Sequence, residues 1–176
     1  MERKAAGTAA EAGQAPQARS LPFGLHNRGP RGRILRAYLD ASALVKTFVG
    51  DESDRRELES LFARDPETMT SRSTFVECHA ALSRALRGGQ IDGRGHRKAE
   101  AMLRRLWDSL QVIELDSGLA ESAAAMAKRH ELRAADAIHL AAALTVRTGP
   151  DFIFACWDRR LRAAAIAEGF HVLPEH

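Results

Sequence analysis

No apolar run in this chain approaches the ~20 residues needed to span a bilayer. The N-terminus also lacks the apolar stretch of a signal peptide, so the expected location is the cytoplasm, away from any membrane. Cysteine is scarce: Cys78 and Cys156 are the two in the sequence, and both sit inside apolar patterns. Buried, reduced thiols are expected there rather than a disulfide. Three families of catalytic signature are missing. No glycine-rich loop ends in Lys-Ser or Lys-Thr; Gly88, Gly89, Gly93 and Gly95 lack the pattern, and no strand leads into them. No Cys-x-x-Cys or His-Glu-x-x-His occurs, His130-Glu131 having no second histidine one turn on. No Gly-x-Ser-x-Gly elbow is present either. These absences remove P-loop nucleotide chemistry, the common zinc sites and the serine-hydrolase arrangement.

What remains is an ordinary soluble composition, 45% hydrophobic and 28% charged over 176 residues. That length suits one domain with a tail and is enough to bury a core without staples. The net charge of +3 is unevenly spread. Residues 1–33 hold six basic side chains against two acidic ones, a balance of +4, which leaves −1 for the rest. Any affinity for nucleic acid must therefore come from local arginines and bound metal rather than from bulk charge.

Residues 1–32 are rich in Ala, Gly, Pro, Arg and Gln without apolar periodicity, and are expected to form a disordered basic tail. The folded domain is expected over 33–176. Apolar patterning predicts strands over 34–39, 67–70, 111–115, 152–157 and 170–173. Helices are predicted over 42–49, 51–64, 73–86, from Asp92 to about residue 110, and over 117–130, 133–147 and 158–168. In the third helix, Phe75, Cys78, His79, Leu82 and Leu86 share one stripe. Strands separated by helices predict an α/β fold with a parallel sheet of about five short strands covered on both faces.

Four acids stand out. Asp40 directly follows the first strand and Asp158 directly follows the fourth, where ligands of open α/β sheets sit. Each is also a good cap for the helix that follows, and Ser42 shares that second reading. Asp136 lies in an almost wholly apolar helix, where a carboxylate is expensive unless paired or bound to metal. An ion pair with Arg133 is the simpler explanation for it. One turn on, His139 reads as a ligand or, more often, as a satisfied core histidine. Glu77 lies off its helix's apolar stripe and has no cation one turn away.

In combination, these motifs resemble the PIN-domain family. The residues that carry the resemblance are Leu39-Asp40-Ala41-Ser42-Ala43-Leu44-Val45-Lys46, then Glu77 after Ser71 and Ser73. Arg133-Ala134-Ala135-Asp136-Ala137-Ile138-His139-Leu140-Ala141 follows, then Asp158-Arg159-Arg160-Leu161 leading to Gly169. Cys156 stands where members often have Thr or Ser. The resemblance implies a single PIN-like domain in which Asp40, Glu77, Asp136 and Asp158 form one acidic, catalytic, metal-holding pocket. Asp40 and Asp158 would be direct ligands, Asp136 would complete or bridge the shell, and Glu77 would hold a metal water or second ion. Ser42 would orient a carboxylate or metal water, and Arg159, Arg160 and Arg162 would contact RNA. It further implies Mg2+, or Mn2+, as cofactor and endoribonuclease activity. Small members are commonly VapC-like toxins, homodimeric and restrained by an antitoxin, here expected to seat near Leu44, Val45, Phe48, Leu58, Leu61 and Phe62. Another metal-dependent nuclease or phosphoesterase, and an inactive PIN-like module that binds RNA or a partner, are the alternatives.

The chemistry agrees with the acids. Phosphodiester cleavage builds charge on the phosphate and leaving oxygen, which a hard cation stabilises. Magnesium takes carboxylate and water oxygens. Conversely, two carboxylates ~5 Å apart repel by roughly 3 kcal/mol at an effective dielectric near 20, so an acidic cluster calls for a cation.

Overall fold

The structure, a computed structural model, describes residues 34–175. The expected tail at 1–32 lies outside the described residues. The elements alternate as predicted: β1 (Arg36–Leu39), α1 (Ala41–Val49), α2 (Glu52–Phe62), β2 (Glu67–Ser71), α3 (Ser73–Arg87) and α4 (Gly93–Trp107) come first. They are followed by β3 (Gln111–Ile113), α5 (Ser117–His130), α6 (Ala134–Val146), β4 (Phe152–Ala155), α7 (Arg159–Ala167) and β5 (His171–Leu173). Boundaries differ from the sequence reading mainly at strand ends. The fourth strand stops at Ala155 rather than Trp157, because Cys156 and Trp157 turn into the loop that carries Asp158.

All five strands are parallel, in the order β3-β2-β1-β4-β5. The period-2 alternation of strand side chains divides the core in two. From β1 and β4, Tyr38, Phe152 and Phe154 point to one face, where Leu140, Ala143 and Leu161 of α6 and α7 cover them. Ala37, Leu39 and Ala155 point to the other, under Leu44, Leu58, Leu82 and Leu103 of α1 to α4. A parallel sheet needs this double cover, since both of its faces are apolar. Both cysteines are buried and free, as their apolar surroundings suggested.

Two expectations about packing need correction. Leu86 does not complete the buried stripe of α3: it is 37% exposed, and Ala85 is buried in its place. The helix ends one residue later and Gly89 turns away at φ +71°, which leaves the Leu86 side of this last turn exposed. Of the residues expected to seat an antitoxin, Leu44, Leu58, Leu61 and Phe62 are core, whereas Val45 and Phe48 pack against the same cluster only partly buried.

The strand order also places a site. The chain leaves β1 toward β2 and β3 on one side, then returns to put β4 on the other. The β1/β4 boundary is therefore the topological switch point, the position at which loops diverge and leave a crevice beyond the carboxyl ends of the strands. Leu39 pairs with Ala155 there, and the Asp40 amide donates to the Ala155 carbonyl at 3.1 Å.

Candidate active site

Asp40 follows β1 and caps α1: its Oδ1 accepts from the Ala43 amide at 2.9 Å and from the Ser42 hydroxyl at 2.8 Å. Asp158 follows β4 and caps α7, its Oδ1 accepting from the Arg160 and Leu161 amides at 2.9 and 3.0 Å. Capping and site membership are thus not rival explanations. A carboxylate fixed at a helix N-terminus beyond a strand is oriented by the cap at the place where such a crevice opens.

Asp136 stands in the first turn of α6, half-buried. Because α6 leads into β4, it runs against the strands, and its N-terminus lies at their carboxyl ends. Burial raises the Asp136 pKa, the nearby charges of Asp158 and Asp40 raise it further, and His139 and Arg133 offset this only in part. Arg133 makes no ion pair with it among the described residues, so the simpler explanation of this carboxylate does not hold. Asp40 is 4% exposed, and burial likewise pushes its pKa up against the pull of His139, the Ala43 amide and Ser42. Two elevated carboxyls beside a third carboxylate describe a place where negative charge is crowded and short of compensation.

Glu77 is held differently. Its carboxylate lies 3.1 Å from Nε2 of His139, 62 positions along the chain on α6. The other ring nitrogen of His139 lies 2.9 Å from the Tyr38 hydroxyl. In the neutral tautomer that donates from Nε2 to Glu77, Nδ1 accepts from the phenol. His139 is 1% exposed with both nitrogens engaged, which makes it a satisfied core histidine. Burial alone would lower its pKa, but the bond to Glu77 and the charges of Asp40, Glu77 and Asp136 outweigh this and raise it. Burial would likewise raise the Glu77 carboxyl, yet His139 holds it below its ordinary value. The structure thus draws Asp40, Asp136 and Asp158 into mutual influence and ties Glu77 to the sheet through His139 and Tyr38. Among the described residues, no three His, Cys, Asp or Glu side chains are already set around one point as ligands.

Ser42 is not the cap expected from the sequence, since Asp40 caps α1 and Ser42 lies in the helix's first turn. While donating to Asp40, its oxygen accepts from the Trp157 amide at 2.7 Å. Trp157 is fixed in turn by its indole, which donates to Asp54 Oδ1 at 2.5 Å, and Lys46 Nζ lies 2.5 Å from the other oxygen. This line of contacts from α2 to the site was missed in the sequence, because its members are up to 115 positions apart. The only local trace is Lys46 and Asp54, eight apart across the α1–α2 junction. Cys156 is wholly buried, and its thiol, which burial and Asp40 push well up, lies 3.4 Å from the Asp158 carbonyl oxygen. Arg159 and Arg160 are exposed; Arg160 is committed to the Glu131 carbonyl at 2.7 Å.

Comparison with known proteins agrees with this architecture. The PIN domain family matches residues 37–168. Ribonuclease VapC45 of Mycobacterium tuberculosis (strain CDC 1551 / Oshkosh) is 35% identical over 137 residues, covering 78% of this chain and 94% of the relative. A toxin-antitoxin complex from Klebsiella pneumoniae contains a chain superposing with a TM-score of 0.55 at 21% identity, over 80% of this chain and 98% of that one. FitAcB from Neisseria gonorrhoeae gives 0.56 at 19% identity, over 79% and 97%. A parallel five-stranded sheet with acids at its switch point, a family match across nearly all the described residues, and a relative at this identity make the chain a member of the PIN-domain family.

Proposed function

We propose that this chain is a divalent-metal-dependent endoribonuclease, the toxin of a toxin–antitoxin pair, acting in the cytoplasm. The observation that carries the reading is the crowding of Asp40, Asp136 and Asp158 at the β1/β4 switch point of a chain 35% identical to Ribonuclease VapC45. The donors suit a hard cation: they are oxygens, two of them carboxyls that burial makes reluctant to ionise, Asp136 also through the charges of Asp158 and Asp40. No ready-made cage is required, because Mg2+ keeps several waters and is bound through one or two carboxylates. Asp40 and Asp136, with Asp158, would hold Mg2+ or Mn2+. When bound, such an ion stabilises charge on the phosphate and acidifies a water.

The chain's own residues supply the rest. Ser42 and the Ala43 amide hold Asp40 Oδ1, which fixes the orientation of the carboxylate. His139 holds Glu77 ionised at the margin of the crevice, ready to orient a water. Arg159 is exposed at the start of α7, just past β4, and available to a phosphate. An antitoxin is the expected partner, and a homodimer the expected assembly. No helix among the described residues is long and apolar enough to cross a membrane.

The alternative, a PIN-like module that binds without cleaving, draws on the lack of three preset ligands among the described residues. Incubating the chain with single-stranded RNA in Mg2+, in Mn2+ and in chelator separates the two. Cleavage in metal that Asp136→Asn abolishes is the expected result; binding with no cleavage in either metal overturns the nuclease reading.

A further inference from the structure

We propose that the outer face of α4 is the docking surface along which the phosphate backbone of single-stranded RNA approaches the acidic site. This rests on the ribonuclease reading above for the identity of the strand, but its evidence is separate.

Helix α4 carries Arg94, Arg97, Lys98, Arg104 and Arg105, all exposed. Their spacings of three, four, ten and eleven from Arg94 gather them on one stripe of a 3.6-residue helix. The buried residues Ala99, Leu103 and Leu106 lie diametrically opposite. The only acid in the helix, Glu100, faces His79 at 3.4 Å and His96 at 3.6 Å instead. Five cations against one carboxylate make α4 +4, in a part of the chain that sums to −1.

Elsewhere Arg36, Arg56, Arg72 and Arg129 each pair with a glutamate. Among the described residues, none of the five on α4 is in an ion pair. Helix stability does not account for them. Arg104 and Arg105 suit a C-terminal turn, but Arg94, Arg97 and Lys98 stand in the first two turns, where the macrodipole disfavours cations. Arg94 and Lys98, one turn apart, also repel.

The stripe leads to the site. α4 runs antiparallel to α3, with His79 beside Glu100 and, further toward the site, Phe75 against Trp107 at a ring separation of 5.0 Å. The Arg104–Arg105 end therefore adjoins the first turns of α3, which carry Glu77. Eleven steps of 1.5 Å each give a cationic track of roughly 16 Å that ends beside the first turns of α3. The occupant is argued from chemistry. Four of the five cations are arginine, whose planar fork matches phosphate. Only Ala101 interrupts the stripe, so it offers none of the aromatic or aliphatic anchors on which a protein interface depends.

The test measures binding of a fluorescein-labelled, 20-nucleotide single-stranded RNA to the full chain by anisotropy in chelator, from 50 to 300 mM salt. Each cation withdrawn from a phosphate should lower the slope of log K against log salt by about 0.7. The double variant Arg97→Gln/Lys98→Gln should therefore flatten it by about 1.4 and weaken binding about tenfold at the low-salt end. Lys128→Gln/Arg129→Gln on α5 removes the same charge and should leave the slope unchanged. In Mg2+ the α4 variant should raise KM for a long RNA with little change in kcat. A slope equal to wild type, or an equal loss from the α5 control, overturns the proposal. So does an α4 variant that loses only an antitoxin's binding and keeps its RNA isotherm. If wild type binds with the predicted slopes but never cleaves, the nuclease reading fails and the surface stands. If it cleaves and the α4 variant is indistinguishable from it, the surface fails alone.

Discussion

Replacing Asp54 tests whether the site is supported from α2. Its side chain is 12% exposed and accepts the Trp157 indole N–H at 2.5 Å on one oxygen, with Lys46 Nζ at 2.5 Å from the other. A hydrogen bond to an ionised acceptor contributes about 1.5–3 kcal/mol. The Lys46 arm, 36% exposed, is screened by water and adds only about 0–1 kcal/mol. Asp54→Ala should therefore cost about 1.5–4 kcal/mol. Trp157→Phe, which removes the N–H but leaves the ion pair, should cost about 2 kcal/mol. If the two side chains act on each other, the double variant should lose less than the sum by about 1.5 kcal/mol. Urea unfolding with matched m-values gives all four corners of the cycle. Additivity within about 0.5 kcal/mol would refute the coupling. A second readout follows its relay to the site. With Trp107→Phe as background, Trp157 is the sole indole, and Asp54→Ala should shift its emission to the red as its loop loosens.

Other consequences follow from the acids and from the first two helices. Burial raises the Asp40 carboxyl above 3.8, so the fold favours its neutral form: the stabilisation is full below the unfolded value and is lost as pH rises through the folded one. In chelator at pH 7, Asp40→Asn should thus melt no lower than wild type while losing RNA cleavage, and a clearly lower melting temperature contradicts the crowding argument. Asp158→Asn keeps a good helix cap, so its stability should hold while the magnesium needed for half-maximal cleavage rises; a titration curve superimposed on wild type would leave Asp158 a cap alone. Phe62→Asp should unfold the chain because Phe62 is core, whereas Phe48→Asp, at a partly buried position, should fold and weaken antitoxin binding, which circular dichroism and a pull-down distinguish.

The order of elements was readable because each depends on short-range pattern: apolar runs bounded by Gly88-Gly89 or Gly149-Pro150, and caps such as Asp92, whose Oδ1 accepts the Gly95 amide. Asp40, Asp136 and Asp158 stood out for a related reason, their fixed position after a strand or within an apolar helix. What pattern does not carry is pairing. A search for cations one turn from Glu77 finds none, since its partner, His139, arrives from α6 across the sheet. Asp54 looks like one more acid on a polar helix until Trp157 closes on it from 103 positions away. Leu86 failed for the opposite reason: periodicity continues to the end of α3, but the neighbours that would bury it do not.

The central place of β1 has a consequence for how the chain is born. This strand is made first, yet one of its two partners, β4, is more than a hundred residues downstream. A ribosome adding ~5–20 residues each second would expose β1 for several seconds before that neighbour emerges. Throughout that interval Asp40 has no Ala155 to anchor its backbone and no Trp157 to fix Ser42, and Asp158 has not yet been made. A chain stalled or cut before β4 holds most of the residues of the enzyme but neither the second wall of its crevice nor Asp158. The arrangement works as a completeness check, since the acidic centre can assemble only after β4 and Asp158 have been made.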